Sequence, residues 1–250
     1  MTSSQTEPKA TETRTFSTEV QQLLHLMVHS LYSKKEIFLR ELVSNASDAI
    51  DTLRFLALTR PELSDAVSAQ ESAIEIAVQK DDKTLTISDT GIGMTRQQVI
   101  DNIGTIARSG TGALIKRLKE QGTDAAKSLD VIGQFGVGFY SVLMVAHKVE
   151  VDTRSAEPDS QPILFRCDGG GTYELGEGTR TTPGTTVKLF LNDDASEYLE
   201  SWQIEHIIKQ YSNYVKWPVR LDGKQLNRAT ALWSKRPSEV KEEEYSDFYK

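Results

Sequence analysis

The 250-residue sequence has little of what builds disulfide-linked, fibrous or membrane-spanning proteins. It contains one cysteine, Cys167, which excludes an internal disulfide and favours a reducing compartment. It has only 16 glycines and 7 prolines, too few for a collagen-like chain, and its 38% of hydrophobic residues is too many for a wholly disordered one. No apolar run approaches the roughly 18 residues that cross a bilayer. We therefore expect a globular protein with a substantial core.

The charge balance lacks a basic excess. Lys and Arg number 29 against 36 Asp and Glu, and the net charge of −7 argues against nucleic acid as a main partner. The first fifteen residues are polar and lack the apolar region of a secretory signal. We expect a soluble, cytoplasmic protein that binds neither nucleic acid nor a membrane. Cys167 stands between Arg166 and Asp168 without a catalytic partner, and we interpret it as a strand residue.

Hydrophobic periodicity predicts both helices and strands. The predicted helices cover about 19–32, 34–58 and 196–216, with a short helix near 138–146 and another after Thr95, whose spacing to Gln98 is that of a capping box. The predicted strands form a hairpin at 74–78 and 85–87 and continue near 148–153, 163–167, 172–175 and 185–191. Helices and strands do not alternate strictly. We therefore predict an α+β two-layer sandwich, in which helices pack on one face of a mainly antiparallel mixed sheet.

The second predicted helix carries a line of polar residues. Glu41, Asn45, Asp48 and Thr52 recur at helical spacing and share one narrow stripe. Taken alone, such a stripe is typical of a solvated helix face.

Two glycine motifs elsewhere in the sequence indicate that the stripe belongs to a ligand-binding site. Asp89 begins an Asp-x-Gly-x-Gly motif after a predicted strand, and Gly-x-x-Gly-x-Gly at 133–138 precedes a predicted helix. Glycines let backbone N–H groups approach an anion, and the start of a helix adds a positive dipole. The second motif therefore predicts a phosphate-binding loop. Its order is not that of a Rossmann fold, and the P-loop motif is absent.

Five blocks in this order resemble one family. They are ELVSNASDA at 41–49, DTGIGM at 89–94, NIGTIARSGT at 102–111, GQFGVGFYS at 133–141 and GTT at 184–186. From about Thr15 to its end, the chain resembles the nucleotide-binding domain of the heat-shock protein ninety chaperones, most of all in their bacterial form. The resemblance implies the Bergerat-type ATP-binding fold, which DNA gyrase, MutL-type repair proteins and sensor histidine kinases share.

The resemblance also implies ligands and roles. ATP or ADP would bind with Mg²⁺: Asp89 would accept a hydrogen bond from the adenine amine, and Thr185 would support it through water. Asn45 would be the magnesium ligand, and Glu41 would orient and activate the attacking water. The other implied nucleotide-binding residues are Asp48, Gly93, Met94, Asn102, Arg108, Gly133, Gly136, Val137, Gly138 and Phe139. Arg108 and Thr52 stand where many members of the family have lysine.

By the same resemblance, residues 1–14 are a disordered tail and 15–225 the ATP-binding domain, with a mobile lid at about 103–135. Residues 226–250 would be a linker and the start of a middle domain. Lid closure in the family lets the amino-terminal strand, here near 15–17, cross to a second subunit. In the family, the middle domain supplies an arginine that contacts the terminal phosphate. Without that arginine we expect hydrolysis to be weaker, by as much as roughly 10³-fold.

The expected partners are client proteins and, in a full-length homodimer, a second subunit, whereas this part of the chain is expected to be monomeric. Two other functions remain open: a nucleotide-sensing module with incidental hydrolysis, and another ATPase of the same fold, of the gyrase or MutL type. A sensor kinase would need a phosphorylated-histidine motif, which neither His25 nor His29 resembles. The spacing of these two histidines could suit zinc, but no third ligand is evident.

Overall fold

The computed structural model describes residues 11–16, 34–104, 138–169 and 171–229, which fold around one mixed sheet. The helices are α1 (Ile37–Ala57), α2 (Ser64–Ser68), α3 (Arg96–Asn102) and α4 (Ser201–Tyr211), with 3-10 helices at Pro61–Leu63, Gly138–Met144 and Asp193–Leu199. The strands are β1 (Glu12–Thr15), β2 (Ile74–Gln79), β3 (Thr84–Asp89), β4 (Ala146–Arg154), β5 (Ile163–Cys167), β6 (Thr172–Glu177), β7 (Gly184–Leu191), β8 (Val219–Leu221) and β9 (Lys224–Gln225).

The sheet formed by the described strands has the order β1-β6-β5-β4-β7-β3-β2-β8-β9. Only the β2–β8 pair within it is parallel. Along β4, Val149, Val151 and Thr153 are fully buried, whereas Glu150 and Asp152 on the opposite face are partly exposed. This alternation is that of a sheet covered on one face. The α+β prediction of helices on one face of a mainly antiparallel sheet is confirmed.

α1 is the principal helix on the covered face. Its apolar residues recur at helical spacing and put Phe38, Leu39, Val43 and Ile50 completely out of solvent. Burying each such side chain contributes about 1.5–3 kcal/mol. Phe38 packs edge-on against Tyr198 with ring centroids 5.0 Å apart. α1 is therefore held firmly over β2 and β3, and its polar stripe is fixed relative to the strand ends.

The predicted capping box at the start of α3 is confirmed. The Thr95 hydroxyl accepts from the Gln98 N–H at 3.3 Å, and the Gln98 side-chain oxygen accepts from the Thr95 N–H at 2.8 Å. Two backbone donors without helical partners are thus satisfied, and the chain changes from the loop after β3 into a helix.

The helix predicted at 196–216 is wrong as one element. A 3-10 helix, Asp193–Leu199, comes first, and Glu200 then adopts extended backbone angles (φ −91°, ψ 123°) before α4 begins. α4 ends at Tyr211, and the chain enters β8 and β9, which the sequence analysis did not predict. The apolar spacing continued across the break because both helical segments pack on the same core, so periodicity alone did not reveal it.

Residues just outside both predicted boundaries of the ATP-binding domain pack with the sheet. Residues 12–14, assigned to a disordered tail, belong to β1, which pairs with β6. β1 is short and polar, so it lacks the hydrophobic alternation that signals a strand. At the other end, Leu226 and Asn227, assigned to the linker, are buried, and the side-chain Oδ1 atom of Asn227 accepts from the Val219 N–H at 2.9 Å.

Several predictions fall outside the described residues: the helix at 19–32, the lid beyond residue 104, and the chain after residue 229. Cys167 is confirmed as a buried strand residue, and burial raises the pKa of its thiol to about 12. That thiol is therefore protonated and unreactive at neutral pH. In the described ranges, no helix is sufficiently long and apolar to span a membrane.

Candidate functional site

The polar stripe of α1 passes from solvent into the core. Asn45 is exposed, Glu41 and Thr52 are partly buried, and Asp48 retains only 3% of its exposure. A solvated helix face would not bury a carboxylate to this extent, because removing an ion from water is costly without compensating interactions. The simple interpretation as a solvated face therefore fails at Asp48.

Glu41 lies beside the residue that ends the second glycine motif. Its Oε1 atom pairs with the Arg40 guanidinium at 2.6 Å, and its Oε2 atom faces Gly138. A Cβ atom at residue 138 would clash with Oε2, so a side chain there would displace the carboxylate. The adjacent Phe139 packs against the core. The structure thus brings the first residue of the stripe to the end of the predicted phosphate loop.

Asp89 ends β3 directly opposite Thr185 of β7. Its Oδ1 atom accepts hydrogen bonds from the N–H groups of Gly91 at 2.8 Å and Thr185 at 3.2 Å. Within the described part of the chain, no hydrogen bond reaches its Oδ2 atom. The carboxyl is 7% exposed, and this burial raises its pKa to about 6 against the opposing effects of Gly91, Arg180 and Thr185. The result is a desolvated carboxyl with a spare acceptor.

The glycines after Asp89 are required by close packing. A Cβ atom at Gly91 would lie 2.5 Å from the carbonyl carbon of Ala49 on α1. The Ile92 N–H donates to the Ala49 carbonyl oxygen at 3.0 Å. Gly93 has φ +60°, and a Cβ atom there would clash with the Arg154 carbonyl oxygen. The Asp-x-Gly-x-Gly motif therefore lets its loop pack directly on α1 and β4.

Thr153 connects three parts of this region and was missed by the sequence analysis. Its hydroxyl accepts from the Met94 N–H at 3.0 Å and lies 3.1 Å from the Gly184 carbonyl oxygen and 3.0 Å from the Thr185 hydroxyl. It is fully buried. No local motif marks Thr153 in the sequence. Its side chain joins the site only because β4 pairs with β7.

Arg180 was also missed. It lies in the loop before β7 and donates from Nη2 to the carbonyl oxygen of Asp89 at 3.0 Å. Nothing in the local sequence, a run of threonines followed by Pro183, distinguishes this arginine from a surface residue.

The predicted residues fall into two groups and a remainder. Glu41 and Gly138 meet at one end of α1, and Asp89, Gly93, Met94 and Thr185 are linked near Ala49 toward the other. Asn102 is the partly buried last residue of α3. The predicted residues outside the described part of the chain are Arg108, Gly133, Gly136 and Val137.

The donor set limits how a metal could bind. Among the described residues, no three His, Cys, Asp or Glu side chains cluster to hold an ion. Asn45 is exposed and offers one amide oxygen. Mg²⁺ commonly takes one or two protein ligands and completes its octahedron with phosphate oxygens and water. The residues present therefore fit a magnesium ion that arrives with a phosphate ligand and do not form a cage for a free one.

The fold and these linked residues define an ATPase class. A family model described as "Histidine kinase-, DNA gyrase B-, and HSP90-like ATPase" matches residues 32–164, more than half of the chain, and the chain belongs to this family. The α+β sheet with helices on one face is the ATP-binding fold that the resemblance implied.

Within this class, the chain is similar to bacterial chaperones. It is 51% identical over 98% of its length to the chaperone protein HtpG of Roseobacter denitrificans. It is 46% identical over 97% of its length to the chaperone protein HtpG of Escherichia coli strain K12. The chain spans 38% and 40% of the lengths of these two relatives.

Proposed function

We propose that this chain is the ATP-binding and slowly hydrolysing amino-terminal domain of a molecular chaperone. The observation that carries the proposal is the position of α1, which contacts Gly138 through Glu41 and the Asp89 loop through Ala49. Eight residues separate these contacts, or about 12 Å along a helix. This span suits a nucleoside triphosphate lying along the helix, with its base near Asp89 and its phosphates near Glu41.

Asp89 would read the purine. The ionised carboxylate can accept from the exocyclic amine of adenine through Oδ2, while backbone N–H groups hold Oδ1. The carbonyl oxygen of guanine would place an acceptor against this acceptor, and no hydrogen bond could form between them. The expected ligand is therefore ATP rather than GTP.

Glu41 and Asn45 would act at the phosphate end. Asn45 would contribute its amide oxygen to Mg²⁺, which when bound neutralises charge on the phosphates. Glu41 would orient a water molecule and accept its proton at Oε2, since Arg40 already occupies Oε1. One helical turn separates the two residues, so both side chains can reach the same terminal phosphate.

The remaining predicted residues belong to the chaperone cycle that we propose. Residues of about 103–135 would close over the nucleotide, with Arg108, Gly133, Gly136 and Val137 near the phosphates, and closure would drive changes that act on client proteins. Similarity to HtpG chaperones supports this cycle and the second subunit of a full-length dimer. We propose that the protein is cytoplasmic and that its amino-terminal domain by itself is monomeric. This domain would hydrolyse ATP only weakly by itself, because a middle domain would supply a further catalytic arginine.

Calorimetric titration with ATP and GTP, with and without Mg²⁺, tests the purine assignment. We expect ATP to bind in the presence of Mg²⁺ and Asp89→Asn to abolish this binding, because the amide presents a donor to the adenine amine. Asp82→Asn, in the exposed turn at the far end of the β2–β3 hairpin, is the matched control and should bind normally. Equal ATP affinity in Asp89→Asn and the unmodified chain would refute the assignment.

Turnover tests the role of Glu41. We expect Glu41→Ala to keep ATP affinity within about threefold and to lose about 10²-fold or more in hydrolysis, the lower end of the range for a removed general base. Glu197→Ala, at an exposed position, controls for loss of a carboxylate. Unchanged hydrolysis in Glu41→Ala, in protein freed of contaminating ATPases, would exclude Glu41 as the base.

A further inference from the structure

The guanidinium of Arg180 is partly buried behind Asp89, on the face of the sheet opposite the helices. Ser88 and Thr186, which it contacts, pair across β3 and β7 on that face. All five of its N–H groups have neutral acceptors: the hydroxyls of Ser88 at 3.0 Å and Thr186 at 2.6 Å, and the carbonyl oxygens of Asp89 at 3.0 Å, Pro183 at 3.1 Å and Thr182 at 3.3 Å.

This arrangement leaves a partly buried cation without a carboxylate in contact. In the described part of the chain, Arg180 forms no ion pair, whereas arginines such as Arg60, Arg166 and Arg220 each pair with a glutamate. Burial lowers the pKa of Arg180, opposed by the charges of Asp89 and Asp152. A guanidinium nevertheless remains protonated in proteins, so its charge persists there. Neutral donors could satisfy the same oxygens at lower desolvation cost, so hydrogen bonding alone does not account for the charge.

Gly184 makes room for this guanidinium. Its φ of +125° is unfavourable for residues with a side chain. A Cβ atom there would lie 2.6 Å from Nη2 of Arg180 and would clash with the carbonyl oxygen of Asp89. The glycine before Thr185 therefore lets Arg180 bond directly to the backbone of the residue that faces the purine.

Among the described residues, Arg180 is also the cation whose charge acts on the Asp89 carboxyl. Burial raises the pKa of Asp89 to about 6, and the Arg180 charge opposes this rise together with the N–H groups of Gly91 and Thr185. The other charged groups on elements packed around β3 include Asp48 and Glu41 on α1, Glu75 on β2, Lys188 on β7, and Asp152 and Arg154 on β4. Glu75 is paired with Arg220 at 3.2 Å, and an acidic side chain such as Asp48 cannot favour a second negative charge nearby.

We propose that Arg180 is a positioning residue for purine selection: it fixes the backbone at Asp89 and favours the ionised carboxylate over the protonated acid. The inference rests on the proposed ATP site. An ionised carboxylate only accepts hydrogen bonds and so selects a 6-amino purine. A protonated acid can donate to the carbonyl oxygen of a 6-oxo purine, which would relax selection against GTP.

The titration of Asp89 in nucleotide-free protein tests the inference directly. Carbon-detected NMR of the aspartate carboxyl groups would give the midpoint, with Asp89→Asn identifying the signal. We expect Arg180→Met to raise the midpoint by about one pH unit. Arg166→Met removes the same charge from the same face of the sheet without contacting Asp89 and should leave the midpoint unchanged. Equal midpoints in Arg180→Met and Arg166→Met would overturn the inference.

Arg180→Lys tests the role of the charge separately from that of the guanidinium hydrogen bonds. Because lysine keeps the charge, we expect the midpoint to return to within about half a unit of the unmodified chain. A midpoint as high as in Arg180→Met would contradict a role of the charge. Thermal unfolding followed by circular dichroism would establish that each variant is folded before it is titrated.

Nucleotide affinity then links the titration to selection. At pH 6 we expect Arg180→Met to bind ATP about fivefold more weakly, because a rise of one unit in the pKa of Asp89 leaves about fivefold less of the carboxyl ionised. The variant should also show a smaller preference for ATP over GTP. Both effects should disappear at pH 8.5, where the carboxyl is ionised in either protein. A loss of equal size at both pH values would indicate a purely structural role. If the unmodified chain bound neither nucleotide, the proposed function would fail, whereas the NMR midpoints would still decide whether Arg180 controls Asp89.

Discussion

At the scale of single residues, the site contains groups that oppose folding. The carboxyl of Asp89 is buried and the guanidinium of Arg180 is partly buried, although an apolar or amide side chain would be easier to remove from water. Such costs are typical of binding sites, where a group is kept ready for a ligand instead of satisfied within the protein. The spare Oδ2 atom of Asp89 is the clearest example.

We expect Asp89→Asn to stabilise the ligand-free chain at neutral pH. The pKa of Asp89 is about 6 in the folded protein and 3.8 ordinarily. Between these values the unfolded chain loses the proton while the folded chain retains it, so stability falls as pH rises through this window and stays lower above it. The difference of about two pKa units corresponds to about 3 kcal/mol of unfolding free energy lost at neutral pH. An uncharged amide at this position does not incur that loss.

Urea unfolding at pH 7.5 and pH 4 would measure this effect. Asp89→Asn should exceed the unmodified chain by up to about 3 kcal/mol at pH 7.5, and the difference should nearly vanish at pH 4. Asp82→Asn, in an exposed turn, should show no such dependence. If the difference in unfolding free energy between Asp89→Asn and the unmodified chain stayed constant with pH, Asp89 would have an ordinary pKa in the folded protein.

At the scale of elements, the periodicity and caps of the sequence identified most helices and strands, and the errors have local causes. α1 and the β2–β3 hairpin were predicted within a few residues, because each has a long one-sided apolar pattern. The break at Glu200 was missed because the helices on either side bury residues in one core. β1, β8 and β9 were missed because they are short, and because β1 and β8 join the sheet through strands distant in sequence while β9 pairs only with β8.

The capping box of α3 should contribute measurably to stability. Thr95→Ala removes the acceptor for the Gln98 N–H. We expect a loss of about 1 kcal/mol in the free energy of unfolding. Gln97→Ala, at an exposed position on the same helix, controls for substitution in α3 and should cost less than half as much. Equal losses in urea unfolding would show that the capping bonds add nothing.

At the scale of the whole molecule, one sheet and one long helix bring together residues from distant parts of the chain. Strand pairing sets Asp89 opposite Thr185, and Thr185 opposite Thr153, across three strands. α1 then packs across the end of this group and reaches Gly138. A ligand bound between these parts would stabilise the fold as a unit, because it binds only when they are assembled.

Mg²⁺ should stabilise the chain only together with nucleotide. The described residues offer no cluster of carboxylates for a free ion, and Asn45 provides a single amide. We expect no change in Tm with Mg²⁺ alone. ATP with Mg²⁺ at about one hundred times its Kd should add about 2.7 kcal/mol.

Differential scanning fluorimetry with EDTA as the metal-free reference would test this, and Asn45→Ala should reduce the part of the shift that depends on Mg²⁺. An increase in Tm with Mg²⁺ and no nucleotide would point instead to a metal site built by the protein itself.

The sequence by itself determined the α+β class, the long helix that carries the polar stripe, and the glycine-bounded loop after Asp89. Each of these depends on local patterns: apolar periodicity, capping residues, and positions where only glycine fits. The tertiary structure alone decided that Thr153 and Arg180 belong with Asp89, because both reach it through strand pairing and loop packing between segments about 30 to 90 residues apart. Contacts over such separations depend on register and burial, for which a single threonine or arginine in the sequence carries no signal.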